Sequence, residues 1–131
     1  MIFIDSNVPM YLVGGDHPLK RRVIELVPRL TAAREAMITS AEVFQELIHR
    51  YTALRNRPQL NAAYEALETM AGRVIDVTKG DVDAARAFAA EYEGLSSRDC
   101  LHVAVMQRAA CTTVWSYDEY FDLVPSLQRL T

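Results

Sequence analysis

Apolar positions along this chain change from continuous runs to helical spacing and back again. Met1-Ile2-Phe3-Ile4 is an unbroken apolar run closed by Asp5-Ser6-Asn7. It reads as a short buried strand, Met1–Ile4, turning into a helix whose first turn accommodates Pro9 and which Gly14-Gly15 breaks. Leu19, Val23, Leu26 and Leu30 recur at helical spacing, with Pro28 near the end of that pattern. Ala36–Thr39 is a second short strand. Val43, Leu47, Tyr51 and Leu54, flanked by Phe44 and Ile48, make Ser40–Leu54 an amphipathic helix, and Thr39 followed by Glu42 has capping-box spacing. Pro58 opens a helix that Gly72 closes, Arg73–Val77 alternates into a third strand, and Asp81–Glu91 is an alanine-rich helix. Ser96 and Asp99 repeat the capping pattern at the head of a helix that runs to about Ala110. Thr112–Tyr117 is β-branched and aromatic, and Asp118–Leu123 has room for one or two helical turns. Strands alternating with helices, without linker or repeat, predict a mostly parallel sheet covered on both faces by helices.

Composition narrows the class. The chain has 131 residues, half of them hydrophobic, which is enough for one domain core and excludes wholesale disorder. No apolar run approaches the length of a membrane span, and the start of the chain does not read as a signal peptide. Cys100 and Cys111 have no partners at zinc-ligand spacing and read as reduced thiols of a cytoplasmic protein. The net charge of −3 argues against holding nucleic acid by bulk attraction, although two divalent cations would turn it positive. Nearly all the basic residues are arginine, a good fork for phosphate, but a GC-rich genome produces the same bias.

The acids fall where a parallel sheet binds ligands, beyond the carboxyl ends of strands. Asp5 ends the first strand and Asp118 the last, Asp99 sits in the first turn of the helix before that strand, and Glu42 and Glu46 share one helix face after the second. A cap or dipole role accounts for Glu42, Asp81 and Asp83 and covers Asp99 and Asp118 in part; Asp5, after a buried strand, resists that account. Carboxylates gathered on one rim would repel by roughly 4 kcal/mol per pair at about 4 Å. They therefore require protons or hard cations. With no histidine or cysteine expected beside them, oxygen donors alone favour Mg2+ or Mn2+ over zinc.

Four segments carry a family resemblance: Phe3-Ile4-Asp5-Ser6-Asn7, Ser40 through Glu46-Leu47, Arg98-Asp99-Cys100-Leu101-His102-Val103-Ala104, and Ser116 through Asp122. In this order, and spanning nearly the whole chain, they resemble the PIN domain and more closely the VapC toxins of bacterial toxin–antitoxin pairs. The resemblance implies a single PIN domain over 1–131, a three-layer α/β/α fold with three to five parallel strands. Its acids fall on Asp5, Glu46, Asp99 and Asp118, with Asp5 and Asp99 the closest metal ligands. Asn7 and Ser116 fall on positions that would orient those acids by hydrogen bonds. Cys100 stands where a small residue such as alanine is common, away from the chemistry.

The implied activity is a Mg2+- or Mn2+-dependent endoribonuclease that activates water to cut a structured RNA, a tRNA or ribosomal RNA loop, leaving a 5′-phosphate and a 3′-hydroxyl. The implied partners are a small VapB-like antitoxin lying across the active groove and a second copy of the chain. Helices around Leu47–Leu54 and Leu60–Met70 could supply such surfaces or could be core. Arg98, Arg21, Arg22 and Arg50 offer phosphate contacts or are ordinary solvated charges. His102 reads as a packed or hydrogen-bonded core histidine rather than a general acid, and Tyr51 and Trp115 read as core or interface. Two rivals remain. A dehalogenase-type phosphatase would need an acid where Asn7 stands, and a catalytically silent PIN-fold binding module would normally have lost one of the four acids.

Overall fold

Strand β1 (Ile2–Ile4) has no polar alternation because neither of its faces meets water, and all three residues are buried. It is the central strand of a five-stranded sheet in the computed structural model, which describes every residue from Met1 to Thr131. The other strands are β2 (Met37–Ser40), β3 (Arg73–Ile75), β4 (Thr113–Trp115) and β5 (Gln128–Leu130), in the order β3-β2-β1-β4-β5. Every neighbouring pair is parallel. Phe3 lies opposite Ile38 on one side and Val114 on the other, and Ile4 is opposite Trp115. The chain builds outward from β1 through β2 to β3, then returns to place β4 against the other edge of β1. The switch point therefore lies between β1 and β4, where a parallel sheet opens a crevice beyond its strand ends.

Helices cover the sheet: α1 (Asn7–Val13), α2 (Pro18–Ala32), α3 (Ala41–Ala53), α4 (Arg57–Met70), α5 (Lys79–Glu91) and α6 (Ser97–Arg108). The core joins the strand residues to Val23, Leu47, Leu67, Val105 and Met106 from the helices, and Trp115, Phe3 and Phe121 are the largest of its fully buried side chains. Leu47, Tyr51, Leu67 and Met70 are thus core residues, whereas Ile48 and Leu54 of the same region are exposed. None of these helices is long and apolar enough to cross a membrane.

The three-layer α/β/α class expected from the alternation is what the chain adopts, with local departures. β5 went unread because only Leu130 is apolar in a strand of three residues on the sheet edge. α2 runs through Pro28 to Ala32; the carbonyl left without its N–H partner belongs to Ile24, on the half-exposed face, where the loss is least costly. Thr39 and Glu42 form no capping box. Ser40 occupies the cap position, and the Thr39 hydroxyl is taken by the carbonyl of Ile4 at 2.9 Å, stitching β2 to β1. A capping box does form at α5, between Thr78 and Asp81. Asp81 also takes a two-pronged contact from Arg108 that holds its carboxyl down to about 2, tying the start of α5 to the end of α6. That agrees with the structural role expected for this acid.

Candidate metal-binding site

β1 ends at Asp5, and the chain turns at once into α1. Asp5 is buried, and both of its oxygens are engaged. Oδ1 accepts the backbone N–H of Ser6 at 2.7 Å, and Oδ2 accepts the Ser116 hydroxyl at 2.6 Å and the Asn7 side-chain amide at 3.2 Å. Ser116 follows β4, so this contact bridges the switch point. Its Oγ also accepts from Asn7 at 3.1 Å and from the backbone N–H of Asp118 at 3.0 Å, while Asn7 Oδ1 accepts the N–H of Tyr117 at 3.2 Å. Asn7 and Ser116 thus hydrogen-bond the first acid and the backbone of the loop that carries the last.

Glu46 arrives from the second turn of α3, directly after β2. Its closest partner is a residue that sequence reasoning set aside. His102 of α6 is wholly buried, and its Nε2 lies 3.1 Å from Glu46 Oε2 and 3.9 Å from Asp5 Oδ1. Ligand atoms of Asp5, Glu46 and His102 all lie within 4.8 Å of one another. The expectation of an all-oxygen cluster without a nearby histidine is therefore corrected. His102 is packed and hydrogen-bonded, as its setting in an apolar helix suggested, but its partner is one of the candidate metal acids.

The electrostatics follow from this crowding. Burial raises Asp5, and the opposing pull of His102 and the Ser116 hydroxyl does not cancel it. Burial also pushes Glu46 up, but the hydrogen bond and charge of His102, with the Ser6 hydroxyl and Arg98, bring it below the ordinary carboxylate range. His102 moves the other way. Burial disfavours its charged form, yet Glu46, Asp5 and Asp99 together hold it above the usual imidazole value; an ionised Glu46 can only accept in their contact.

Asp99 stands at the head of α6, its N–H capped by Ser96 at 3.2 Å. Burial first, and then the charges of Asp5 and Asp118, push its carboxyl up to about 6. Asp118, after β4, accepts the N–H of Tyr120 on Oδ1 at 2.9 Å. The structure thus gathers all four predicted acids at one end of the sheet. It places Asp5 and Glu46, with His102, in the tight group, and leaves Asp99 and Asp118 beside it as like-charged neighbours. Asp5 and Asp99 stay raised by burial and by neighbouring carboxylates despite the pull of His102, and that is a setting a divalent cation fits.

The flanks differ in charge. A cleft of about 390 Å³ beside Glu46 carries His49, Arg50 and Arg98. Of the arginines proposed for phosphate, Arg21 is paired with Asp16 and Arg22 with Glu25, while Arg50 and Arg98 form no ion pair.

Comparison with known proteins shows the family and the fold. The family model of the PIN domain matches residues 2–127. The chain is 40% identical over 130 residues to the VapC ribonuclease Mb1869c of Mycobacterium bovis and, by the same measure, to the ribonuclease VapC13 of Mycobacterium tuberculosis, covering 99% of each chain. Among solved structures, the fold is similar to that of VapBC2 from Rickettsia felis bound to a DNA fragment from their promoter. The TM-score is 0.75 at 17% identity, with 99% of this chain and 98% of that one covered.

Proposed function

The chain belongs to the PIN domain family and, within it, to the VapC ribonucleases, and from this premise we propose that it is the toxin of a type II toxin–antitoxin pair, an endoribonuclease dependent on Mg2+ or Mn2+. Its substrate is a structured RNA, such as a tRNA or ribosomal RNA loop, and residues 1–131 work as a single PIN domain. The observation that carries this reading is Asp5. It is a buried carboxylate at the topological switch point, locked by Ser6, Asn7 and Ser116, with three further acids arriving from α3, α6 and the end of β4.

Asp5, Glu46, Asp99 and Asp118 would hold the ion. Their oxygens favour magnesium or manganese over softer metals, since the one nearby nitrogen, Nε2 of His102, is engaged by Glu46. When bound, such an ion activates water for attack on a phosphodiester and offsets the charge that gathers on phosphorus. The chain's own residues do the positioning. Asn7 and Ser116 fix the Asp5 carboxylate, Ser116 also holds the Asp118 backbone, and His102 fixes Glu46. Arg50 and Arg98 give the flank beside Glu46 a positive lining suited to the RNA backbone. A cognate VapB-like antitoxin and a second copy of the chain are the expected protein partners, in keeping with the VapBC2 assembly that shares the fold.

The test is cleavage of total RNA by purified protein. Cutting requires Mn2+ or Mg2+, stops in EDTA, and falls roughly a hundredfold or more in Asp5→Asn, the loss of several kcal/mol of transition-state stabilisation. Equal cutting by the variant, or cutting that survives EDTA, overturns the reading.

A further inference from the structure

A second cleft of about 610 Å³ opens beside Asp118. Its walls are Tyr11, Tyr117 and Tyr120 with Asn7, Asp118 and Glu119. Two of these, Asn7 and Asp118, belong to the acid rim, so whatever enters the cleft lies next to the reacting centre. The walls carry acids and no base. That lining suits an uncharged, flat group with hydrogen-bond donors better than a phosphate.

The three tyrosines are not equivalent. Tyr11 and Tyr117 meet edge to face with centroids 5.6 Å apart, and the Tyr117 hydroxyl accepts from Trp115 Nε1 at 3.2 Å, so both rings are held by the fold. Tyr120 is 59% exposed, and its side chain makes no hydrogen bond or ring contact. Its backbone is nevertheless fixed. The Tyr120 N–H is held by Asp118, the next residue, Phe121, is buried in the core, and Leu123 lies so close to Gly94 that a Cβ there would come within 2.5 Å of it. The edge of the Tyr120 ring lies over Gly94, its Cδ1 3.6 Å from where a Cβ would stand, and the ring lines the cleft from a rigid turn.

Resting on the ribonuclease reading, we propose that this cleft receives one unpaired base of the RNA next to the cut phosphate, stacked on Tyr120, with its amino edge turned to Glu119. Bases in single strands are read by stacking on aromatic rings and by hydrogen bonds to their edges. Glu119 is exposed and free of any ion pair, and its carboxylate accepts from the amino groups of guanine, adenine or cytosine; uracil has none.

Two measurements test this. In one, single-stranded RNA carrying 2-aminopurine is titrated in EDTA, so that binding is read without cutting. In the other, hairpins with a randomised loop are cut in Mn2+ and the fragment ends sequenced, and one efficiently cut hairpin is taken for kinetics. Wild-type protein quenches the 2-aminopurine and disfavours uracil at one position beside the cut. Tyr120→Ala loses the quenching and raises KM about tenfold, with kcat within about twofold, in line with the usual loss of a stacked base. Tyr120→Trp restores both readouts, and Glu119→Gln flattens the base preference. On a hairpin with an abasic nucleotide at that position, Tyr120→Ala costs nothing further.

The proposal is overturned by Tyr120→Ala leaving quenching and KM unchanged, or by an equal loss on the abasic hairpin. It is equally overturned if Tyr120→Ala binds RNA normally and loses only its co-purified antitoxin, which would assign the cleft to that partner. Quenching without any cutting by wild type removes the ribonuclease reading and leaves the base cleft standing. Cutting with a flat base profile does the reverse.

Discussion

Asp99 concentrates the electrostatic tension of the site in one carboxyl. Its proton affinity is raised to about 6 because burial and the charges of Asp5 and Asp118 all disfavour its ionised form. A carboxyl whose value rises on folding contributes fully to stability below about pH 4, where it is protonated in both states, and loses that contribution as pH climbs through 6. Asparagine carries no charge to lose. In the presence of EDTA, Asp99→Asn is therefore expected to gain about 1–3 kcal/mol over wild type on going from pH 4 to pH 8. Urea denaturation at the two pH values reads this directly, and an equal difference at both would remove the charge-crowding account. Adding Mn2+ at pH 8 reverses the order, since the ion stabilises only the chain with the complete acid set.

At the scale of elements, the helices that end without glycine are instructive. α2, α3 and α6 each close with the same pair of backbone hydrogen bonds. At α6, the N–H of Cys111 reaches back to Met106 and that of Ala110 to Gln107; Arg34 and Glu35, and Arg55 and Asn56, repeat the arrangement. The closure places Arg34, Arg55 and Ala110 at a φ of 54°, in the left-handed region that glycine prefers. Ala110→Gly removes that strain without removing a functional side chain, and should stabilise the protein by about 1 kcal/mol in urea denaturation. No gain, or a loss, would mean that the extra freedom of glycine in the unfolded chain cancels the relief. The same feature explains what was legible in the sequence. The elements announced themselves by period, and the helix starts by Ser96 and the prolines, but the ends of α2, α3 and α6 carry no glycine to mark them. Thr39 misled because its hydroxyl serves the neighbouring strand, a long-range contact that local spacing does not reveal. Strand ends and helix starts locate Asp5, Asp99 and Asp118 from the sequence, whereas the choice of Glu46 over Glu42 rests on the family resemblance. His102 was not legible, because it lies in an apolar helical run and its meeting with Glu46 depends on how α6 packs against α3.

For the molecule as a whole, the site is also a joint. Asp5 leaves the central strand, Asp118 its neighbour across the switch point, Glu46 comes from α3 and Asp99 from α6, so one ion held among them would link segments more than a hundred residues apart in the chain. A ligand that binds only the folded state stabilises it by mass action, by ~2.7 kcal/mol at a hundred times its Kd. In a domain of this size, that amounts to a rise in Tm on the order of 10 °C. Titrating Mn2+ into EDTA-treated, dialysed protein should raise Tm in this concentration-dependent way and slow hydrogen exchange together at the ends of β1 and β4 and at the starts of α3 and α6. Asp5→Asn should abolish both effects, whereas Glu68→Gln, at an exposed acid of α4, should leave them intact. A Tm rise of the same size in both variants would assign the metal to scattered surface acids. A rise in wild type whose slowed exchange is confined to one helix would show that the ion touches one element and does not join four.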